Sequence, residues 1–210
     1  MASWGLDLVW RRRLVRELFS ACPEKAVILD FGCGTGDLIL EALEQNRRER
    51  KDLKVIGMDL SIPMMNLARE KVGTPPLFIQ ASCENLPLVS HSVDLVMSAF
   101  VLRNVRKIMA ETLSEVRRVL KPGGTALLLE MGVPAVGILR PFHRIYLKTI
   151  LPLIGRSVLG KAWSRDYLAE TIFQFWSPLE YCRLLTDAGF RDARFELSSM
   201  GLAAFYICRK

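Results

Sequence analysis

The stretch LDFGCGTGD, Leu29 to Asp37, decides the fold. Its glycines stand at 32, 34 and 36, and Asp30 lies just ahead of the first. Upstream, AVILDF (26–31) is a short apolar run of the kind that forms a buried strand. Downstream, residues from about 35 to 47 read as a helix. Glycines at such a junction let the backbone turn tightly and come close to a ligand. In a doubly wound sheet that junction faces the ligand, beyond the C-terminal strand ends.

The rest of the chain repeats the strand–helix alternation. Residues 3–20 read as an amphipathic helix with Leu8, Val9, Leu14, Val15 and Leu18 as its apolar positions. KVIGMDL (54–60) is a second strand, and Pro63 opens a helix to about Val72, because proline suits a first turn. PLFIQAS (76–82) and SVDLVMSAF (92–100) are the third and fourth strands. VRKIMAETLSEVRRVL (105–120) is a strongly periodic helix that KPGG should stop, and TALLLEM (125–131) is the fifth strand. An irregular stretch covers 132–176. A helix at about 177–188 follows, then the break DAGF and two strands near 193–198 and 202–208. The expectation is an α/β fold: a doubly wound, mostly parallel seven-stranded sheet with a C-terminal antiparallel hairpin. The 210 residues suit one domain, with a helical substrate insertion at about 132–176.

Composition narrows the function. Half the chain is apolar, which argues against disorder, and no apolar run is long enough to span a bilayer. Cys22, Cys33, Cys83, Cys182 and Cys208 are scattered, with no C-x-x-C pair. No metal site or disulfide framework is expected, and a reducing, cytoplasmic compartment is. The formal charge of +7 favours anionic partners.

The ligand of the glycine loop can be narrowed further. Asp59 ends the second strand, where a carboxylate reaches both hydroxyls of a ribose. A dinucleotide fingerprint would need a third glycine at position 37, but Asp37 puts a negative charge where a pyrophosphate would sit. Asp30 facing the ligand suits an ammonium group. S-adenosyl-L-methionine carries an ammonium and a sulfonium and no phosphate, so it fits the loop better than a dinucleotide does.

The chain resembles class I S-adenosylmethionine-dependent methyltransferases, and within them the ubiquinone/menaquinone biosynthesis C-methyltransferases. The matching pieces are GLDLVWRRRLV, LDFGCGTGDL, MDLSIPMMNLAREK, ASCENLPL, FVLRNV, RVLKPGG, LPLIG, YLAETI and DAGF. The resemblance implies methylation of a ring carbon of a polyprenyl quinol. The loop itself puts Asp30, Gly32, Gly34 and Gly36 at the cofactor, with Leu60 beside Asp59 as a further candidate. The resemblance implies cofactor contacts from Thr35 and Asp59, matches Ser82 and Cys83 to the family's adenine-contacting pair and Ala99 to its cofactor-contacting serine, and places Arg103 and Asn104 beside the methyl-transfer centre. The chain departs from the family pattern at Ala99 (serine), Val101 (glycine), Arg165 (tyrosine) and Trp176 (proline), and these departures bear on the substrate. Methylation of another small molecule, and a cofactor-binding subunit without catalysis of its own, remain as alternatives.

Between Met131 and Arg165 there is no acidic residue, while Arg140, Arg144, Lys148, Arg156, Lys161 and Arg165 alternate with apolar side chains. That pattern suits a helix on an anionic membrane or a core helix with a solvated basic face. His143 and Tyr146 in this stretch are candidate substrate contacts, whereas His91 lies in a polar turn. The expected partner is a small hydrophobic aromatic or quinol substrate, with an anionic membrane surface on the inner face and a homodimer as open alternatives. No stacking platform or nucleic-acid motif occurs, so no nucleic acid is expected.

Overall fold

The computed structural model describes residues 5–73, 76–134, 137, 141, 145, 171–172 and 175–210. The expected insertion at 132–176 therefore lies mostly outside the described residues, as do His143, Tyr146 and the basic positions of that stretch. In chain order the elements are α1 (Leu6–Ser20), β1 (Lys25–Phe31), α2 (Asp37–Glu49), β2 (Asp52–Asp59), α3 (Ile62–Val72), β3 (Leu77–Gln80) and β4 (Val93–Ala99). They continue with α4 (Met109–Val119), β5 (Leu120–Met131), α5 (Pro178–Asp187), β6 (Arg191–Ser198) and β7 (Ala203–Arg209).

The sheet has seven strands in the order β3-β2-β1-β4-β5-β7-β6. The first five pair in parallel, and β7 runs antiparallel between β5 and β6. Strands β1 and β4 are neighbours where the order reverses, which is the crevice expected to hold a ligand.

Period-two alternation divides the core between the two faces of the sheet. Ile28, Leu95, Leu127 and Phe205 point to the α1/α2 side, where they meet Trp10, Leu14, Leu18 and Ile39. Leu29, Val96, Leu128 and Tyr206 point to the other side, against Leu113, Val116, Tyr181 and Leu185 of α4 and α5. Fully burying such a side chain is worth about 1.5–3 kcal/mol, so both layers are held by the hydrophobic effect.

Three local expectations need correction. Leu8 and Val9 are exposed rather than core-facing. The buried stripe of α1 is Trp10, Leu14, Val15, Leu18 and Phe19, oriented by the Trp10 indole N–H, which donates to Ser199 Oγ at 3.0 Å. The fourth helix begins at Met109, after a tight turn at Arg106–Ile108, not at 105. KPGG does not separate helix from strand: β5 runs through it from Leu120, with a register irregularity opposite Val93/Leu95. Gly123 takes φ +77°, and Lys210 N donates to Gly124 O at 3.0 Å, so pairing continues across the kink.

Candidate cofactor cleft and adjoining cavity

A cleft of about 250 Å³ opens at the C-terminal ends of β1 and β4. It brings together the predicted residues Asp30, Gly32, Gly34, Thr35 and Ala99. Arg11, Cys33, Asp37, Leu38 and Met64 complete the lining. Among the described lining residues, Arg11 is the one cation.

The glycine loop is built for two kinds of close approach. At Gly32 (φ +69°) a side chain would collide with Val101, whose methyls pack over the loop. At Gly34 (φ +52°) a Cβ would meet nothing within 4 Å, so this backbone faces open space. Gly36 stands at the N-cap of α2. Thr35 Oγ1 donates to Asp37 Oδ2 at 3.2 Å, and Lys71 Nζ donates to Asp37 Oδ1 at 2.6 Å.

Asp59 braces the loop from β2. Its carboxylate accepts Gly34 N–H and Ser61 N–H, each at 2.8 Å. A carboxylate has about four acceptor sites, so these bonds leave capacity for ribose hydroxyls. Leu60 exposes its side chain, while its carbonyl accepts from Gln80 Nε2 at 3.1 Å. Beyond β3, Ala81 N donates to the Asp59 carbonyl at 3.2 Å, which places Ser82 and Cys83 alongside Asp59. Burial pushes the Cys83 thiol up to about 11, helped by Asp59 and Glu84, which keeps it neutral near pH 7. Of the methionines that follow Asp59, Met64 lines the cleft and Met65 is core.

Asp30 is buried, and its Oδ2 has no hydrogen-bond partner among the described residues. Burial raises its pKa well above the ordinary carboxylate range; Arg11 opposes the rise, and Asp59 and Asp37 add to it. A buried carboxylate oxygen without a donor is costly unless a ligand supplies one. An ammonium group is such a donor, so the cleft fits the amino-acid end of S-adenosylmethionine. Bound there, that cofactor supplies an activated methyl group.

The end of β4 turns sharply out of the sheet. Ser98 Oγ donates to the Phe31 carbonyl at 2.8 Å and ties β4 to β1 under the cleft. Phe100 then takes φ +65°, a conformation that costs a bulky residue energy. It is held by its N–H bond to Leu129 O at 2.8 Å, and its ring lies 5.1 Å from the Arg11 guanidinium carbon. Arg103 and Asn104 follow in a turn closed by Asn104 N–H to Val101 O at 2.9 Å.

Arg103 is engaged with Glu130, which the sequence reading missed. Nη1 of Arg103 lies 2.5 Å from Glu130 Oε1, and Arg103 N donates to Oε2 at 3.0 Å. Met131 N also donates to Oε1, at 2.8 Å. The Arg103 Nε is buried with no partner among the described residues. The signal for Glu130 was a lone carboxylate near the end of the apolar strand TALLLEM. Arg11 was missed because it sits among several arginines in a helix that looked purely structural.

Just past Glu130 lies a second, apolar cavity of about 620 Å³. Met131, Ile172, Phe175, Trp176 and Tyr206 supply most of its apolar wall. Phe175 and Trp176 pack edge to face with centroids 5.5 Å apart, and Arg106 sits over Trp176 at 5.1 Å. Ala99 of the first cleft is the register partner of Leu129, so the two spaces open from the ends of adjacent strands. Among the described residues no group of His, Cys, Asp or Glu is placed to hold a metal ion. No helix among them is long and apolar enough to cross a membrane.

Known proteins are similar to this chain in sequence and in fold. The model of the ubiE/COQ5 methyltransferase family matches residues 1–210. A demethylmenaquinone methyltransferase from Porphyromonas gingivalis is 34% identical over 98% of this chain and 83% of its own length. The ubiquinone/menaquinone biosynthesis C-methyltransferase UbiE of Campylobacter jejuni is also 34% identical, over 99% of this chain and 89% of its own. Among solved structures, a SAM-dependent methyltransferase from Aquifex aeolicus shares the fold at 19% identity, with a TM-score of 0.65 over 99% of this chain and 93% of that one. The buried Asp30, whose Oδ2 has no partner among the described residues, stands above an open glycine loop, and with a family match along the whole chain it leads to one conclusion: this chain belongs to the ubiE/COQ5 methyltransferase family and is a methyltransferase that uses S-adenosyl-L-methionine.

Proposed function

We propose that the chain methylates a ring carbon of a hydrophobic quinol, acting as one methyltransferase domain. The observation that carries this reading is the apolar, aromatic-walled cavity beside the cofactor cleft. A quinone-type substrate is also what the names of the relatives imply. In this reading Asp59 holds the ribose hydroxyls, Asp30 the ammonium, and Ser82 and Cys83 flank the adenine.

A neighbouring hydroxyl gives its proton to water, and the ring carbon so activated takes the methyl group, with S-adenosylhomocysteine as the leaving group. The hydrogen on that carbon departs to water as a proton, which restores the aromatic ring. Arg103 meets the developing phenolate. Its charge is balanced by Glu130, so it acts chiefly as an oriented donor in a water-poor site, through the Nε–H that has no partner among the described residues. An arginine stays protonated, so it stabilises the phenolate and does not abstract the proton. Glu130 is the positioning residue that fixes the guanidinium.

The test is transfer of labelled methyl to a panel of demethylated quinols differing in ring oxidation state and tail length. Label should appear on a ring carbon, require the reduced ring, and increase with an apolar tail. Transfer to a polar acceptor with indifference to the quinols would overturn the substrate assignment. Contact with an anionic membrane belongs to the same reading, since such a substrate resides there. It is checked by flotation with anionic vesicles, which should fail at high salt.

A further inference from the structure

We propose that Arg11 reads the carboxylate at the amino-acid end of the cofactor, so that α1 forms a wall of the cofactor site and Arg11 and Asp30 make a two-ended clamp for an α-amino acid. The inference rests on the cofactor assigned above, and four observations support it.

The first is charge. The cleft contains Asp30 and Asp37, is braced by Asp59, and has a single lining cation among its described residues, Arg11. A ligand ammonium is welcome there, but a ligand carboxylate entering the same space would be repelled unless it met Arg11. The cofactor's α-amino acid carries both groups on one carbon, so whatever binds one must hold the other within a few ångströms.

The second is geometry. Arg11 Nη1 is fixed by Asp7 Oδ2 at 2.5 Å, and its guanidinium lies over the Phe100 ring. Arg11 Nη2 is 3.8 Å from Asp37 Oδ2, too long for a hydrogen bond. Asp37 already accepts the short bond from Lys71. Arg11 is therefore oriented without its fork of five donors being used up.

The third is access. The Arg11 side chain retains 16% exposure, so it is reachable from the cleft while its stem is ordered. The fourth is anchorage. One turn of α1 carries Arg11 beside Trp10, whose indole bonds Ser199 and packs 6.3 Å from the Phe100 ring. The helix is thus fixed to the core next to the strained residue that ends β4.

Titration calorimetry on the full chain tests the clamp with two ligands. One is S-adenosylhomocysteine. The other is its decarboxylated analogue S-adenosyl-3-thiopropylamine, which keeps the ammonium. The wild-type protein should prefer the first by about tenfold to a hundredfold, as a charge-assisted hydrogen bond to the carboxylate would give. Arg11→Met should lose that factor for S-adenosylhomocysteine and bind the analogue as wild type does. Arg11→Lys should fall between, because lysine keeps the charge and loses the fork. Equal wild-type affinities for the two ligands would overturn the clamp, and that comparison depends on no variant folding. An Arg11→Met protein weakened alike for both ligands would overturn it too, leaving Arg11 a packing residue. If neither ligand bound the wild-type protein, the cofactor assignment itself would fall, which is a different result from equal binding.

Discussion

Asp30 and Glu130 occupy matching places and have opposite circumstances. Each is the penultimate residue of a parallel strand, β1 for Asp30 and β5 for Glu130, and they are 1% and 0% exposed. Glu130 accepts from Arg103 Nη1, Arg103 N and Met131 N. Asp30 leaves an oxygen without a partner among the described residues, and burial raises its pKa. The protein's own donors satisfy one carboxylate, whereas the other is left for a ligand in the function proposed above. Burial alone does not separate a structural acid from a binding acid; the donors around it do.

Removing Glu130 is the strongest way to break that comparison. Glu130→Ala strands the Arg103 guanidinium in a buried site, which typically costs about 3–5 kcal/mol. Denaturant unfolding should show that loss, and adding Arg103→Met should recover part of it. A loss under about 1 kcal/mol in the single mutant would mean that solvent reaches the pair and the contrast with Asp30 is false.

Arg103→Met comes next. Glu130 keeps its bond from the Arg103 backbone N–H, which any side chain at 103 preserves, and the bond from Met131 N–H. The stability loss should therefore be smaller than for Glu130→Ala. Turnover at saturating acceptor should fall by roughly a hundredfold, with S-adenosylhomocysteine affinity little changed. Near-normal turnover in a folded mutant would leave Arg103 only a structural partner of Glu130.

Asp30→Asn should work the other way round. It removes the charge whose partner is a ligand, so S-adenosylhomocysteine should bind more weakly by about 1.5–3 kcal/mol. The cofactor-free protein should melt at the same or a higher temperature near neutral pH, because burying Asp30 requires taking up a proton or leaving a carboxylate unpaired, and an amide escapes both costs. A mutant that loses stability and keeps affinity would make Asp30 structural, like Glu130.

The smallest effect is the proton. Asp30 holds its proton more tightly in the native state than in the unfolded chain, where carboxylates titrate near pH 4. Its contribution to stability is therefore present below about pH 4 and lost as pH rises toward the raised native value. Within that window an arriving ammonium should drive the proton off. Calorimetry in buffers of different ionisation enthalpy should detect release of up to about one proton on S-adenosylhomocysteine binding, abolished in Asp30→Asn. No buffer dependence in the wild type would mean that Asp30 is already ionised without ligand.

The strand–helix alternation, the glycine loop and the acids at 30 and 59 were legible because each is a local signal. Period-two burial of Ile28/Leu29 and Leu127/Leu128 follows directly from a strand between two helical layers. The loop reading singled out Asp30, Gly32 and Gly34, and the resemblance added Thr35 and Ala99; these five line one cleft, whereas Gly36, Asp59, Leu60, Ser82 and Cys83 lie outside its lining. Leu8 and Val9 misled because apolar identity shows which side chains could be buried, while the rotation of α1 is set by Trp10 reaching Ser199, far away in sequence. KPGG misled for a similar reason: proline and glycine forecast a kink, but pairing to the chain end at Lys210 carries the strand through it.

By itself, then, the sequence determined the layers, the place of the cleft and the class of ligand, since periodicity, turn chemistry and charge act over a few residues. Only the tertiary structure decided which partner each charge meets. Arg103 meets Glu130 and Arg11 meets the cleft of Asp30 across intervals of chain that no local pattern spans. The physical reason is that a buried charge takes its role from the donors and acceptors within hydrogen-bonding distance, and folding, not sequence proximity, chooses those neighbours.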